Sequence, residues 1–178
     1  MSSSHLYGPV PSRRLGRSLG VDLVPFKVCS YDCVYCQLGK TTNKTIERKE
    51  YIPVDEVLHE LEENVSHGLN ADWITMAGSG EPTLNSGIGR LIRGIKSITS
   101  IPVAVLTNGS LLWDEEVCED IAPADLVVPS LDAGDQKTYH HVNRPHPEIS
   151  FQKMAGGMVA FRDRYQGPMW LEVFLLAG

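Results

Sequence analysis

Short apolar segments alternate along this chain with longer segments of helical periodicity, and this alternation constrains the fold more than any other feature. Five apolar segments predict strands, at residues 19–25, 72–77, 102–106, 126–129 and 170–177. Strands that are apolar on both faces are typical of parallel sheets, which are covered on both sides. Strand–helix–strand alternation produces right-handed βαβ units. The chain is therefore predicted to be an α/β protein with about five parallel strands.

The segments between these strands predict helices. Apolar residues recur at helical spacing from Val54 to Val65. Pro53 suits the first turn of this helix, and Gly68 suits its end. Ser150 can cap a later helix. The other expected helices cover residues 88–95, 113–122 and 151–165.

Two architectures fit this order of elements: an open doubly wound sheet and a (β/α) barrel. A complete eightfold barrel needs ~250 residues, so a chain of 178 residues supplies only part of one. In both architectures the chemistry collects in loops that follow the carboxyl ends of the strands. We expect a single domain over residues 1–178, with residues 1–18 as an N-terminal extension.

The loop after the first predicted strand contains Cys29, Cys33 and Cys36 in the spacing C-x3-C-x2-C. Cysteine thiolates hold iron–sulfur clusters, and a cubane of about four irons with three protein thiolates keeps one iron open. Zinc is the alternative, but structural zinc needs four ligands, so a distant histidine or Cys118 would have to be the fourth. Cys118 lies in an apolar helical stretch, where free cysteine packs as a small hydrophobe.

Polar segments also follow the next three strands. GSGEPT occupies residues 78–83, TNG occupies residues 107–109, and Ser130 and Asp132 follow the fourth strand. Taken alone, the first two segments are ordinary turns. The serine has one glycine on each side, which would also let the backbone approach a ligand closely.

Residues 133–149 are predicted to form a long loop at the same edge of the sheet. This loop contains Arg144, which could pair with a phosphate or a carboxylate. It also contains His140, His141 and His146, whose spacing matches no zinc site, and we expect these histidines to be solvated.

The cysteine segment, with Tyr35 directly before its last cysteine, resembles the cluster-binding loop of the radical SAM superfamily. GSGEPT and TNG are similar to two further segments of that family. The resemblance implies a partial (β/α)6 barrel in which Cys29, Cys33 and Cys36 bind a [4Fe–4S] cluster. S-adenosylmethionine would bind the open iron through its amino and carboxylate groups. Its reductive cleavage would give a 5′-deoxyadenosyl radical that abstracts hydrogen from a substrate, the activity of an iron–sulfur oxidoreductase.

The same resemblance implies which residues contact S-adenosylmethionine. Tyr35 would lie near the adenine, Glu81 would meet the amino group, and Ser130 and Asp132 would contact the ribose or the carboxylate. Serine at position 79 departs from the family's G-G-E-P pattern. The implied cofactor-binding positions are Tyr35, Gly78, Ser79, Gly80, Glu81, Pro82, Thr107, Asn108, Ser130 and Asp132. No catalytic acid or base is implied.

Residues 7–22 and 142–151 are similar to radical SAM proteins related to the tRNA wyosine-base synthase, which implies RNA as one candidate substrate. Residues 1–50 carry eight Lys and Arg against four Asp and Glu, and such a surface would suit phosphates. The basic residues in question are Arg13, Arg14, Arg17, Lys40, Lys44, Arg48 and Lys49. An electron donor protein such as ferredoxin or flavodoxin is a further implied partner.

The family core has six strands, so the sixth strand and the C-terminal part of the barrel are expected to be missing, and another subunit could complete it. Two alternatives to an enzyme stay open: an interaction module that binds the cluster and S-adenosylmethionine without turnover, and a zinc-stabilised binding domain.

No apolar run reaches the roughly 20 residues of a membrane helix, and the first residues have no apolar signal core. We therefore expect a cytoplasmic protein.

Overall fold

The computed structural model describes residues 4–175, and this part of the chain forms seven strands and five helices. The strands are β1 Leu6–Ser12, β2 Gly16–Val21, β3 Val28–Cys29, β4 Asn43–Lys44, β5 Trp73–Met76, β6 Val103–Thr107 and β7 Leu126–Pro129. The helices are α1 Val54–Ser66, α2 Ile88–Ile98, α3 Glu115–Ile121, α4 Gln136–Val142 and α5 Phe151–Arg164.

The main sheet has five strands in the order β1-β2-β5-β6-β7. β2, β5, β6 and β7 are parallel to one another, and β1 is antiparallel to β2 at the edge. The predicted α/β class, with a mostly parallel sheet of the partial-barrel type, is confirmed. Met76 pairs with both Val21 and Val105, and Thr107 pairs with Pro129. The four parallel strands therefore end at one common edge.

Part of the segment expected as an N-terminal extension, residues 1–18, forms a hairpin at the edge of the sheet. β1 and the beginning of β2 fall within that segment and form the edge of the sheet. Most of β1 is exposed, and it contains Pro9 and Pro11. An edge strand tolerates proline because one side of it makes no ladder hydrogen bonds. Without an apolar alternation, the segment carries no ordinary strand signal.

The strand predicted at residues 170–177 differs from the observed structure. Here the chain lies beside β7 through two isolated parallel bridges, Met169 to Val127 and Glu172 to Ser130, and forms no continuous strand within the described residues. Leu171 is 52% exposed and Leu175 is 88% exposed. Within the described part of the chain these two side chains stay largely exposed, so their apolar character is not matched by burial. Residues 176 and 177 of the predicted strand lie outside the described residues.

The predicted helices are present, and one more forms where a loop was expected. Ser150 caps α5 by accepting a hydrogen bond from the backbone N–H of Lys153. The prediction of a long loop over residues 133–149 was wrong because α4 forms within it. The Asp135 carboxylate caps α4, and Tyr139 is buried on its inner side. The overlooked signal was this aspartate before a short polar and aromatic segment.

The core lies between the sheet and the helices. Ile74 and Val105 of the sheet pack in one cluster with Leu61 of α1, Ile92 of α2 and Phe161 of α5, and all five side chains are buried. The other face of the sheet carries a smaller cluster, formed by Leu15, Ala104, Leu126 and Val128. Between residues 4 and 175 the structure contains no helix with the length and apolar character needed to cross a membrane.

Candidate cluster and cofactor site

The loops that follow the parallel strands enclose a cavity of about 200 Å³ at the carboxyl edge of the sheet. Its lining residues are Cys29, Ala77, Gly78, Gly80, Glu81, Leu106, Thr107, Asn108, Ser130 and Glu172. One predicted cysteine and six of the predicted cofactor-binding residues therefore meet at one place. Glu172 also lines this cavity and was not expected there, because its segment was predicted as a strand and not as part of the site.

The three cysteines of the loop are all free thiols and all partly exposed. Cys29 faces the cavity just described, whereas Cys33 and Cys36 line a second opening of about 210 Å³ beside Lys40 and Arg144. Burial, and next the charge of Glu81, raise the pKa of the Cys29 thiol to about 12. Burial likewise raises the pKa of Cys33. A metal that binds these sulfur atoms would replace their protons.

Each of the three thiols has a nitrogen donor close by. The side-chain amide nitrogen of Asn108 lies 3.6 Å from Sγ of Cys29. That of Asn143 lies 3.6 Å from Sγ of Cys33. N–H···S hydrogen bonds of this kind tune iron–sulfur clusters.

The third donor is Lys27, whose Nζ lies 3.0 Å from Sγ of Cys36. The TNG segment predicts Asn108 in the cofactor pocket, whereas Lys27 and Asn143 are not among the predicted site residues. No motif marks Lys27, which only the fold brings to a thiol, but Asn143 lies in the segment 142–151, whose family likeness is a signal that could have pointed to it.

Glu81 is fully buried, and its carboxylate joins two loops. Oε1 accepts hydrogen bonds from the hydroxyl of Thr107 and the hydroxyl of Thr83, both at 2.6 Å, and from the backbone N–H of Thr83 at 3.1 Å. Oε2 accepts one from the backbone N–H of Asn108 at 2.7 Å. Burial raises the pKa of Glu81, and these hydrogen bonds act in the opposite direction. The carboxylate thus holds the TNG loop against the GSGEPT loop.

Ser79 does not line the cavity. Its hydroxyl and backbone N–H donate hydrogen bonds to the carboxylate of Asp22, which follows β2. A Cβ atom at Gly78 would lie 2.7 Å from the Asp22 carboxyl carbon, and one at Gly80 would lie 1.8 Å from the carbonyl oxygen of Val28. Both glycines are therefore required by close contact within the protein, and the serine that departs from the family pattern joins the second loop to the first.

Tyr35 and Asp132 lie outside the lining of the cavity and contact each other. The Tyr35 hydroxyl donates to Oδ2 of Asp132, and the Tyr35 ring stacks on Phe174 with the ring centroids 4.4 Å apart. The Asn143 amide donates to the same Asp132 oxygen at 3.0 Å, and the backbone N–H of Phe174 donates to Oδ1. Asp132 therefore connects the cysteine loop with the C-terminal segment. Pro82, the remaining predicted residue, is buried in a single 3-10 turn.

The basic residues of the first 50 positions do not form one free cationic surface. Arg48 is 9% exposed, with Nη2 2.6 Å from Asp120, so it is unsuited to bind a phosphate in solution. Arg14 pairs with Glu172 and Arg17 pairs with Asp72. Lys44 donates to backbone carbonyls of the segment that follows α4. The expected phosphate-binding set is therefore largely engaged in contacts within the protein.

Cys118 lies in the core as expected, 6% exposed, with its thiol donating to the carbonyl oxygen of Leu112. Among residues 4–175, no three His, Cys, Asp or Glu side chains form a group that could hold a single metal ion. In a polynuclear cluster each thiolate binds a different iron atom, so the sulfur atoms do not have to converge on one point. The chemistry of the three free thiols fits such a cluster.

Comparison with known proteins identifies the class. A family model described as the radical SAM superfamily matches residues 23–177. The chain therefore belongs to the radical SAM superfamily. It is 44% identical over 172 residues to the UPF0026 protein MJ1312 of Methanocaldococcus jannaschii. This alignment covers 96% of the chain and 53% of that relative. It is 49% identical over 176 residues to a Brachyspira hyodysenteriae protein named GTPase Obg, covering 99% of the chain and 26% of that protein.

Solved structures share the fold at low sequence identity. TYW1 with a lysine-pyruvate adduct bound superimposes with a TM-score of 0.64 at 17% identity, over 91% of this chain and 56% of that chain. The enzyme anSMEcpe with bound AdoMet superimposes with a TM-score of 0.62 at 21% identity, over 86% and 42%. The chain thus spans only part of the length of its relatives.

Replacement of Glu81 tests its role in joining the two loops. Glu81→Ala leaves four buried hydrogen-bond donors without their acceptor, and we expect it to lower the free energy of unfolding by about 3 kcal/mol. Glu62→Ala, an exposed change on α1, is the control and should stay within about 0.5 kcal/mol of the parent protein. Urea unfolding measures both. Equal stabilities of the two variants would contradict the assignment.

Proposed function

We propose that this protein binds a [4Fe–4S] cluster through Cys29, Cys33 and Cys36 and binds S-adenosylmethionine in the adjoining cavity. The observation that carries the proposal is that the free thiol of Cys29 lines one cavity with the loops after β5, β6 and β7, while the free thiols of Cys33 and Cys36 line a second opening beside the same cysteine loop. A cluster held by three thiolates would leave one iron open to S-adenosylmethionine and, once reduced by an external donor, would supply the one electron that splits this cofactor into methionine and a 5′-deoxyadenosyl radical able to abstract hydrogen from the substrate.

The residues of the cavity have two kinds of role in this proposal. Gly80, Thr107, Asn108 and Ser130 face the cavity and would contact S-adenosylmethionine directly. Glu81 would accept a hydrogen bond from the amino group of S-adenosylmethionine through Oε2, which has one donor within the protein, whereas Oε1 has three. Placement of the cofactor by fixed groups is the part of such chemistry that a protein supplies.

Other predicted residues would act as a frame. Gly78 borders the cavity, and its lack of a side chain makes room for Asp22. Ser79 fixes the second loop to the first, and Pro82 fixes the start of the buried turn. Tyr35 and Asp132 would close the cofactor site on the side of the C-terminal segment, where the Tyr35 ring already stacks on Phe174. In this arrangement the adenine would approach the stacked pair from the cavity side.

The reaction needs partners that this chain does not supply. Because one electron enters in each cleavage, an external donor such as a ferredoxin or a flavodoxin is required. A tRNA base is the substrate suggested by the likeness to the wyosine-base synthase, and Arg13, Lys40 and Arg144 are exposed basic residues that could meet its phosphates. A further subunit, the remaining implied partner, would pack against the exposed apolar side chains of residues 170–175.

Anaerobic reconstitution tests the proposal directly. The parent protein should bind about four iron and four sulfide per chain and, with dithionite, convert S-adenosylmethionine to 5′-deoxyadenosine. Binding without cleavage would instead identify an interaction module. One bound zinc with no sulfide would identify a zinc-stabilised domain and contradict the proposal.

Single cysteine variants assign the ligands. Cys29→Ala, Cys33→Ala and Cys36→Ala should each lose the cluster, because every thiolate binds its own iron atom. Cys118→Ala is the matched control, which should keep the cluster and lose only about 1 kcal/mol of stability. Iron and sulfide analysis of the four variants gives the result. Loss of iron from Cys118→Ala would reverse the assignment.

Two serine variants test the division between cavity and frame. Ser130→Ala removes a hydroxyl from the cavity lining and should weaken binding of S-adenosylmethionine about fivefold, because one hydrogen bond contributes about 1 kcal/mol. Ser79→Ala removes a hydroxyl that is bound to Asp22 and should leave this affinity unchanged. Anaerobic calorimetry on the reconstituted proteins measures both affinities. A weaker affinity in Ser79→Ala than in Ser130→Ala would contradict the division.

A further inference from the structure

Lys27 is a buried cation beside the cysteine loop. Only 3% of the surface of Lys27 is accessible to solvent, and its Nζ lies 3.0 Å from Sγ of Cys36. Within residues 4–175, no carboxylate forms an ion pair with Lys27. Seven other lysine and arginine side chains each pair with an Asp or a Glu: Arg14, Arg17, Arg48, Lys49, Arg90, Lys96 and Arg164. A buried ammonium without an anion is strongly unfavourable. The anion that Lys27 lacks must come from the sulfur site.

The backbone holds this side chain in place. Lys27 has φ of 60°, the left-handed region that residues with a side chain seldom adopt. Its N–H donates to the carbonyl oxygen of Ser79 at 2.8 Å, and its own carbonyl accepts from the N–H groups of Thr42 and Asn43 at 3.2 Å each. Three hydrogen bonds to two other segments thus stabilise a conformation that costs about 1 kcal/mol or more.

The two asparagines near the thiols are also held by hydrogen bonds to neighbouring residues. The Asn108 amide nitrogen donates to the Ser30 hydroxyl at 2.9 Å and lies 3.6 Å from Cys29. The Asn143 amide nitrogen donates to Asp132 at 3.0 Å and lies 3.6 Å from Cys33. These donors come from the loop after β6 and from the residue after α4. Each thiol therefore has at least one donor, and among the three side-chain nitrogens only that of Lys27, beside Cys36, carries a charge.

We propose that Lys27 is the counter-charge of the cluster and, with Asn108 and Asn143, sets its reduction potential. The inference rests on the proposed function, because it requires the cluster to bind here. Reduction adds one electron, supplied by the donor protein, and no bond to sulfur breaks in that step. A fixed positive charge and N–H···S hydrogen bonds stabilise the more negative reduced form. Lys27 therefore raises the potential and lets a cellular donor reduce the cluster.

The midpoint potential of the reconstituted full chain, followed by the EPR signal of the reduced cluster, tests this role without reference to activity. Lys27→Met removes both charge and donor and should shift the potential to a more negative value by at least the 59 mV that correspond to a tenfold change in the one-electron equilibrium constant. Lys27→Arg keeps the charge and should shift it less. Lys137→Met is the control and should leave the potential unchanged, because it removes an exposed lysine that lines neither opening at the cysteines and that solvent screens.

The outcomes separate this inference from the proposed function. A parent protein with a reducible cluster and an unchanged potential in Lys27→Met would overturn the role of Lys27 and leave the function standing. A parent protein without a cluster would overturn both. If Lys27→Met does not bind iron and Lys27→Arg does, the need for the positive charge is supported. If neither variant binds iron, Lys27 has a packing role and the proposal is overturned. Asn143→Ala, which changes no charge, should give a smaller shift in the same direction.

Discussion

Parallel pairing of β2, β5, β6 and β7 is the constraint on which the rest of the structure depends. Because these strands end at one edge, residues far apart in sequence reach the same cavity: Cys29, Glu81, Asn108 and Ser130 come from four different loops. The carboxylate of Glu81 then fixes the relative positions of two of these loops through four hydrogen bonds. The sheet brings the loops together, and buried polar contacts give them one arrangement.

The polar contacts around the thiols share a physical logic. Glu81 is a buried anion whose charge is dispersed over N–H and O–H donors, and Lys27 is a buried cation whose nearest partner is a sulfur atom. The two asparagines each bridge a thiol to a second polar group. Such networks are stable only when every member has a partner. Within the described residues these polar groups have partners inside the protein, and the three thiols of the loop are free.

Much of this arrangement can be predicted from the sequence, for reasons visible in particular residues. Helical spacing from Val54 to Val65 and the apolar run at residues 126–129 reflect burial, which periodicity reports directly. The cysteine spacing and the GSGEPT and TNG segments can be recognised because they are local. β1 was missed because an exposed edge strand has no apolar pattern, and α4 was missed because Asp135 was not weighed as a cap.

The features that could not be predicted depend on contacts between distant segments. Nothing in the sequence separates Lys27, which is buried on Cys36, from Lys40, which is exposed close by. The pairing of Ser79 with Asp22 likewise joins two loops 57 positions apart in sequence. Burial of a charge or a hydroxyl becomes visible only once the loops are assembled. For the same reason, the basic residues near the N-terminus suggested a phosphate surface, although several are held in ion pairs.

The central claim is that three thiolates hold a cluster with one iron atom free for S-adenosylmethionine. Mössbauer spectroscopy of protein reconstituted with iron-57, recorded with and without S-adenosylmethionine, tests it most directly. The account predicts a spectrum of a [4Fe–4S] cluster in which about one iron in four changes its isomer shift when S-adenosylmethionine is added. A cluster whose iron atoms all keep their parameters, or a protein that holds no such cluster, would contradict it.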